Sequence, residues 1–257
     1  MELTLEQIEL WAKQAGLILK QGFGKQHKIG FKTASDLVTE VDRRAEAFLT
    51  GQILQQFPDH TIIGEENGTI VGDQTACWYI DPVDGTTNYA HGLPYFCVSL
   101  GFADHSGSKF GVIYDPMADE CFSAERGKGA FLNGHQISVS GVDDLKRSLL
   151  VTGYAHNEPQ KLDRNNELFI KLNERGQALR RMGSAAMNLA NVAAGRLDAY
   201  WELVIKPWDI GAGLLIVREA GGVVSRSDGS QNELLKPPCS IVAAAPGVYE
   251  AVLEAIQ

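Results

Sequence analysis

Much that would classify a protein quickly is missing from this chain. Its 257 residues hold no apolar run long enough to cross a bilayer. The opening MELTLEQIELWAKQAGLILK lacks the basic start of a secretory signal and reads as an amphipathic helix. Basic residues are few and scattered: 23 Lys and Arg stand against 32 Asp and Glu, a formal net charge of −9. Pairs such as Arg43-Arg44 and Arg180-Arg181 do not form the cationic cluster that sequence-independent binding to nucleic acid or anionic lipid requires. Cys77, Cys97, Cys121 and Cys239 are widely spaced with no CxxC, which fits buried free thiols in a reducing, cytoplasmic setting. GxSxG, GxxxxGK and HExxH are absent, and GKGAFLNG lacks the third glycine of a dinucleotide fingerprint. Those absences argue against an α/β-hydrolase, a P-loop NTPase, a zincin and a dinucleotide-dependent enzyme.

With 44% hydrophobic and 21% charged residues, the chain can bury a substantial core. Thr4 to Gln7 matches a capping box for a helix running to about Gly22, with Leu5, Ile8, Ala12, Ala15 and Leu19 near one face. A basic link precedes DLVTEVDRRAEAFLTGQILQQFPDH, which predicts a second helix ending before Pro58. Strands are expected at Thr61 to Gly64, Cys77 to Ile80, Tyr95 to Ala103, Phe110 to Tyr114 and Cys121 to Ala124, then a hairpin in GKGAFLNGHQISVS. From about Ser148 strands and helices alternate, ending with a strand in DAYWELV, a helix over WDIGAGLLIVREAGG, strands in GVVS and CSIVAAA, and a closing helix. The whole reads as one domain over residues 1–257, with subdomains of about 1–145 and 146–257.

What the chain does have is acid at turns. Four carboxylate stations stand out: Asp42, the Glu65-Glu66 pair, Asp81 with Asp84, and Asp209. Glu65 follows TIIG, Asp81 follows WYI and Asp209 follows KPW, places where a buried element gives way to a turn and a scaffold presents functional groups. Pro82 limits backbone freedom, and Gly85 lets the chain turn tightly under the acids. A short helix from Thr86 to Tyr89 would aim free N–H groups back toward them, setting an anion site beside a cation site. Carboxylates in contact attract hard divalent cations, and an oxygen-rich set suits Mg²⁺ or Mn²⁺ rather than zinc. Two such ions would bind a phosphate and orient water, so the chemistry needs acids and a hydroxyl instead of a nucleophilic side chain. Singly, each acid serves equally well as a turn residue or helix cap. The combination is what points to a site.

At these residues the sequence resembles the inositol monophosphatase family. The resemblance rests on DLVTEVD (residues 36–42), GEEN (64–67), DPVDGTTNYAHGLPYF (81–96) and WDIGAGLLIVREAGG (208–222), in family order, and covers almost the whole chain. It implies a layered αβαβα fold, Mg²⁺-dependent phosphomonoesterase activity inhibited by lithium, and a homodimer. It further implies that Glu65, Asp81 and the main-chain carbonyl of Val83 hold a first metal, that Asp81, Asp84 and Asp209 hold a second, and that a third, weaker ion sits near Glu65. Asp42 paired with Thr86 would activate the attacking water, with Glu65 beside it; Asp84, Gly85 and Thr86 would face the phosphate. Gly183, Ser184, Ala185 and Glu202 would contact the alcohol, a small phosphorylated polyol. The family often carries a Lys before DLVT; here Lys32 is close, but the intervening segment is one residue shorter.

The expected substrate is myo-inositol monophosphate, with histidinol phosphate and fructose 1,6-bisphosphate as alternatives on the same scaffold. Nucleotide phosphatases that share the metal motif resemble DGTKEF where this chain has Thr87-Asn88. A different class of function is an interaction protein that binds metal only structurally. Loss of Thr86 or Glu65 would favour it, and both are present.

Overall fold

The computed structural model describes residues 2–25, 29–33, 36–154 and 159–257, and for residues 29–33, 36–39 and 159–161 the backbone alone. The chain opens with α1 (Leu5–Gly22), capped by Thr4, whose Oγ1 accepts the Gln7 N–H at 3.3 Å. The face expected from periodicity is buried: Ile8, Ala12, Ala15 and Leu19 expose nothing, and Trp11 joins them. Burying each Ile or Leu contributes about 1.5–3 kcal/mol relative to exposure, so packing rather than propensity holds α1 in place.

Next come β1 (Ile29–Thr33), β2 (Asp36–Thr39) and α2 (Glu40–Gln56). A helix beginning at Asp36 is thereby corrected. Ile29 pairs with Thr39 and Gly30 with Val38 in an antiparallel ladder, and helical periodicity read locally does not reveal a partner strand. The side chain of Lys32 lies outside the described residues.

The order continues β3 (His60–Gly64), β4 (Gly68–Ile70), β5 (Asp73–Asp84), α3 (Thr86–Ala90), β6 (Cys97–Asp104), β7 (Gly107–Asp115), β8 (Glu120–Glu125), β9 (Gly129–Leu132) and β10 (His135–Ile137). Then follow β11 (Leu149–Thr152), α4 (Pro159–Arg175), β12 (Ala178–Arg180), α5 (Ala185–Ala193), β13 (Ala199–Ile205), α6 (Pro207–Ile210), α7 (Gly213–Glu219), β14 (Val223–Ser225), β15 (Cys239–Ala244) and α8 (Pro246–Ile256). An eight-stranded sheet runs β10-β9-β8-β7-β6-β5-β3-β4, and a five-stranded sheet runs β12-β11-β13-β15-β14. Helices α1 and α2 pack on the large sheet, α5 and α7 contact both sheets, and α4 and α8 pack on the small sheet. The layering is αβαβα, as expected, with three apolar clusters: one beneath each outer helix layer and one around the central helices that reaches both sheets. All four cysteines are buried and free. Among the described residues no helix is long and apolar enough to cross a membrane.

One helix over WDIGAGLLIVREAGG is corrected to two, α6 and α7, with Gly211 and Ala212 between them. Bare backbone lies against bare backbone there. A Cβ on Gly101 of β6 would stand 2.4 Å from the Gly211 carbonyl carbon, and one on Gly111 of β7 would stand 2.5 Å from the Ala212 oxygen. The joint therefore sits directly on the large sheet, two residues beyond Asp209. Gly101→Ala is expected to cost about 1–3 kcal/mol of stability through overpacking, read as a lower urea midpoint at unchanged m-value. An unchanged midpoint would show that the joint has room to move.

Candidate active site

Asp81 and Asp84 come from inside β5, which runs beyond the expected Ile80. In a regular strand, side chains three residues apart point to opposite faces. Here Asp81 pairs with Ser99 and Asp84 with Cys97, so a step of three on β5 matches a step of two on β6, a β-bulge at Pro82–Val83. The extra residue restores the parity and turns both aspartates to the same side. Pro82 has no N–H to withdraw from the ladder, which makes this a low-cost place for a bulge. Asp81 Oδ1 spans it by accepting the Val83 N–H at 3.0 Å.

The turn after Asp84 requires glycine. Gly85 has φ 101°, in the left-handed region, and a Cβ there would stand 2.9 Å from the Tyr95 carbonyl oxygen. The expected short helix, α3, starts at Thr86. Thr86 Oγ1 lies 3.1 Å from Asp42 Oδ1 and 3.0 Å from the Val83 carbonyl oxygen. Its single hydrogen serves one of them at a time. Asp42 is fully buried in the first turn of α2. Asn88 Nδ2 donates to the carbonyls of Tyr95 at 2.8 Å and Met182 at 2.9 Å, tying α3 to the segment before α5.

That segment meets Asp84 directly. Asp84 Oδ2 accepts from Ser184 Oγ at 2.7 Å and Ala186 N–H at 2.5 Å, and Oδ1 accepts from Ala185 N–H at 3.2 Å. An aspartate of the large sheet thus sits at the start of α5, where free N–H groups and the helix dipole favour a negative charge. Burial pushes the Asp84 carboxyl up, and these hydrogen bonds pull it back down without reversing the shift.

Asp209 sits in the first turn of α6, and its Oδ2 accepts the Lys206 N–H at 2.9 Å. Glu65 follows β3, with its N–H on the Ile80 carbonyl at 3.2 Å. Its side chain meets the Asp81 carboxyl. Asp81 is driven far above the ordinary carboxylate range by burial, then by Glu65, Asp84 and Asp209. Burial, then Asp84 and Glu65, do the same to Asp209. Like charges this close cannot all ionise unless something neutralises them.

The four acids line one cavity of about 200 Å³ together with Val83, Gly85, Thr86, Gly183, Ser184, Ala185 and Glu202. Every residue expected at the site from the sequence is there except Asp42, which stands behind Thr86 as its hydrogen-bond partner. Among the described residues, no group of three or more His, Cys, Asp or Glu side chains is set to hold a metal ion. The acids are turned on one another and on backbone N–H groups instead.

Sequence reasoning passed over Gly153, Tyr154, Arg181 and the role of Tyr200. Tyr200 Oη donates to Glu202 Oε2 at 2.5 Å, and a Cβ on Gly153 would stand 1.8 Å from that same oxygen. Tyr200 precedes Glu202 by two, so the alternation of a strand was the available signal for a pair on one face. Gly153 is close only through pairing of β11 with β13, which no local pattern shows.

Burial raises the Glu202 carboxyl to about 7, against the pull of Tyr200. An acid whose folded value lies above its unfolded value leaves the native state holding the extra proton, so its charging destabilises the fold as pH rises from about 4.5 through 7. Glu202→Gln removes that loss. It is expected to gain stability relative to wild type across this window, on the order of 2 kcal/mol at its upper end after allowance for partial exposure to the cavity. Urea unfolding at pH 4.5 and pH 8 checks this, and a difference that does not change with pH would refute it.

The comparisons with known proteins agree with this geometry. The family model described as inositol monophosphatase family matches residues 2–257. The inositol-1-monophosphatase of Synechocystis is 47% identical over 222 residues, 86% of this chain and 77% of that protein. Nus factor SuhB of Escherichia coli is 41% identical over 245 residues, 94% of this chain and 91% of that one. The solved structure of inositol monophosphatase from Anabaena superposes with a TM-score of 0.88 at 38% identity, covering 98% of this chain and 94% of its own. A chain matched from end to end, with four acids from three of its motifs gathered around one cavity, belongs to the inositol monophosphatase family, a family of phosphomonoesterases.

Proposed function

We propose that this chain hydrolyses small phosphomonoesters, myo-inositol monophosphate foremost, in the cavity between β5, α3, α5 and α6. One observation carries the proposal: four carboxylates from three separate stretches of chain converge there beside a hydrogen-bonded Thr–Asp pair. The likeness to the Synechocystis inositol-1-monophosphatase supports the same substrate class.

The donors fit a hard divalent cation. Glu65, Asp81 and the Val83 carbonyl would hold one ion, and Asp81, Asp84 and Asp209 a second, with room for a weaker third near Glu65. All are oxygens, and the hydrogen bonds to Asp81, Asp84 and Asp209 leave lone pairs over on each. Mg²⁺, or Mn²⁺ in its place, supplies neutralisation of the acids and Lewis acidity toward phosphate and water. The chain supplies the rest. Thr86 Oγ1, giving its hydrogen to Asp42 Oδ1, keeps a lone pair for the attacking water; as the new P–O bond forms and the ester P–O bond breaks, the water's proton passes through Thr86 to Asp42 and the departing alkoxide takes a proton from solvent water. Gly85 and Thr86 present backbone N–H groups to phosphate oxygens. Asp84 holds the α5 segment Gly183–Ala185 against the site, where that segment and Glu202 meet the hydroxyls of the alcohol. The fold works as one unit assembled from both halves of the chain, and the active species is a homodimer.

A second reading is favoured by the likeness to Nus factor SuhB: an interaction partner in transcription that keeps the fold. Turnover separates the two. Wild-type protein with Mg²⁺ is expected to release phosphate from inositol 1-phosphate faster than from histidinol phosphate or fructose 1,6-bisphosphate. Millimolar lithium is expected to slow it. Asp84→Asn should cut kcat/KM by about 10²-fold or more, equivalent to roughly 2.7 kcal/mol at the barrier. Thr86→Ala should lower kcat with KM nearly unchanged. No phosphate from any of the three esters, with Mg²⁺ or Mn²⁺, would leave the interaction reading standing.

A further inference from the structure

We propose that Glu46 is the positioning residue for Glu65: its carboxylate fixes the turn that delivers Glu65 to Asp81, and so sets the affinity of the cavity for its divalent cation. The proposal rests on the metal-dependent phosphatase reading above.

Asp42 and Glu46 lie four residues apart on α2, stacked on its inward face and exposed by only 0% and 1%. A buried acid is costly unless hydrogen-bonded. Asp42 has Thr86. Glu46 reaches across to the turn after β3, where its Oε2 accepts the Glu66 N–H and its Oε1 the Asn67 N–H, each at 2.8 Å. Two successive N–H groups converge on one carboxylate only when the turn between them holds a particular conformation. On the other side, the Glu65 N–H is pinned to the carbonyl of Ile80, the residue before Asp81. The backbone around Glu65 is thus held from both directions, by β5 before it and by Glu46 after it. From there its side chain reaches the Asp81 carboxyl.

Gly64 is the matching half of the device. A Cβ there would stand 2.7 Å from Glu46 Oε1 and 2.9 Å from its Cδ, so any larger residue would push the carboxylate off the turn. Glu46 does not line the cavity. It acts through Glu65 and touches neither substrate nor cation. One helix face therefore brackets the site at two points, Thr86 through Asp42 and Glu65 through Glu46.

The test is Mn²⁺ binding to the metal-stripped full chain by titration calorimetry, alongside the Mg²⁺ concentration for half-maximal phosphate release. Glu46→Gln keeps the volume and sets an amide NH₂ against one of the two N–H groups. It is expected to raise the Mn²⁺ Kd about tenfold and the Mg²⁺ half-activation concentration in proportion. Glu46→Asp keeps the charge but withdraws it by one methylene; a rise of about threefold is expected, and this variant decides if the glutamine variant fails to fold. Ser140→Ala, which removes a 2.5 Å hydrogen bond to Asp198 outside the cavity, controls for loss of stability alone and should lower Tm with Mn²⁺ Kd unchanged. Folded Glu46 variants with Kd and half-activation within about twofold of wild type would overturn the proposal. Wild-type protein that neither binds Mn²⁺ nor releases phosphate would overturn the phosphatase reading, and this proposal with it.

Discussion

Carboxylates held close together under low dielectric repel one another, and the architecture around the cavity is organised to keep four of them there regardless. Glu65, Asp84 and Asp209 each raise the proton affinity of Asp81, on top of the penalty of burial. An arrangement of this kind does not relax by itself, because each acid sits on an element whose packing is decided elsewhere. The apolar clusters on either face of the large sheet hold those elements together, and their summed burial outweighs a local electrostatic cost of a few kcal/mol. Stability lent by the core is what makes an unfavourable cluster persist as a site.

Three devices place the acids. The bulge at Pro82–Val83 turns Asp81 and Asp84 to one face of β5. Glycine backbone on β6 and β7 lets the α6–α7 joint settle on the sheet, which brings Asp209 over it. The turn after β3 is clamped between Ile80 and Glu46, which aims Glu65 inward. Each relies on something absent: a missing N–H, a missing Cβ, a side chain too small to intrude. Close approach of backbone to backbone is what brings charges within reach of one another.

The Glu202 side of the cavity follows a different logic. Glu202 is one acid with a donor of its own in Tyr200, and Gly153 leaves room for its carboxyl. Opposite it, the start of α5 is docked on Asp84, so the segment that would touch the alcohol is joined by hydrogen bonds to a residue that would bind the cation. The two sides of the cavity are mechanically linked through Asp84. The contact spans 100 residues of sequence between Asp84 and Ser184.

By itself the sequence determined which residue types the cavity would carry. The identities of Glu65, Asp81, Asp84, Thr86 and Asp209, the Gly85 turn, the α3 start and the inward face of α1 were all legible, because residue type and local spacing carry that information directly. Only the tertiary structure decided which way the groups point and what holds them. Side-chain direction in a strand depends on parity, which one bulged residue inverts; DLVT became a strand because a partner lay alongside it. The helix after Trp208 broke where backbone met backbone. Glu46 was an unremarked acid in a helical run until the fold laid two N–H groups against it, because a hydrogen bond between residues twenty apart is a property of distance in space, and a linear order of residues does not contain it.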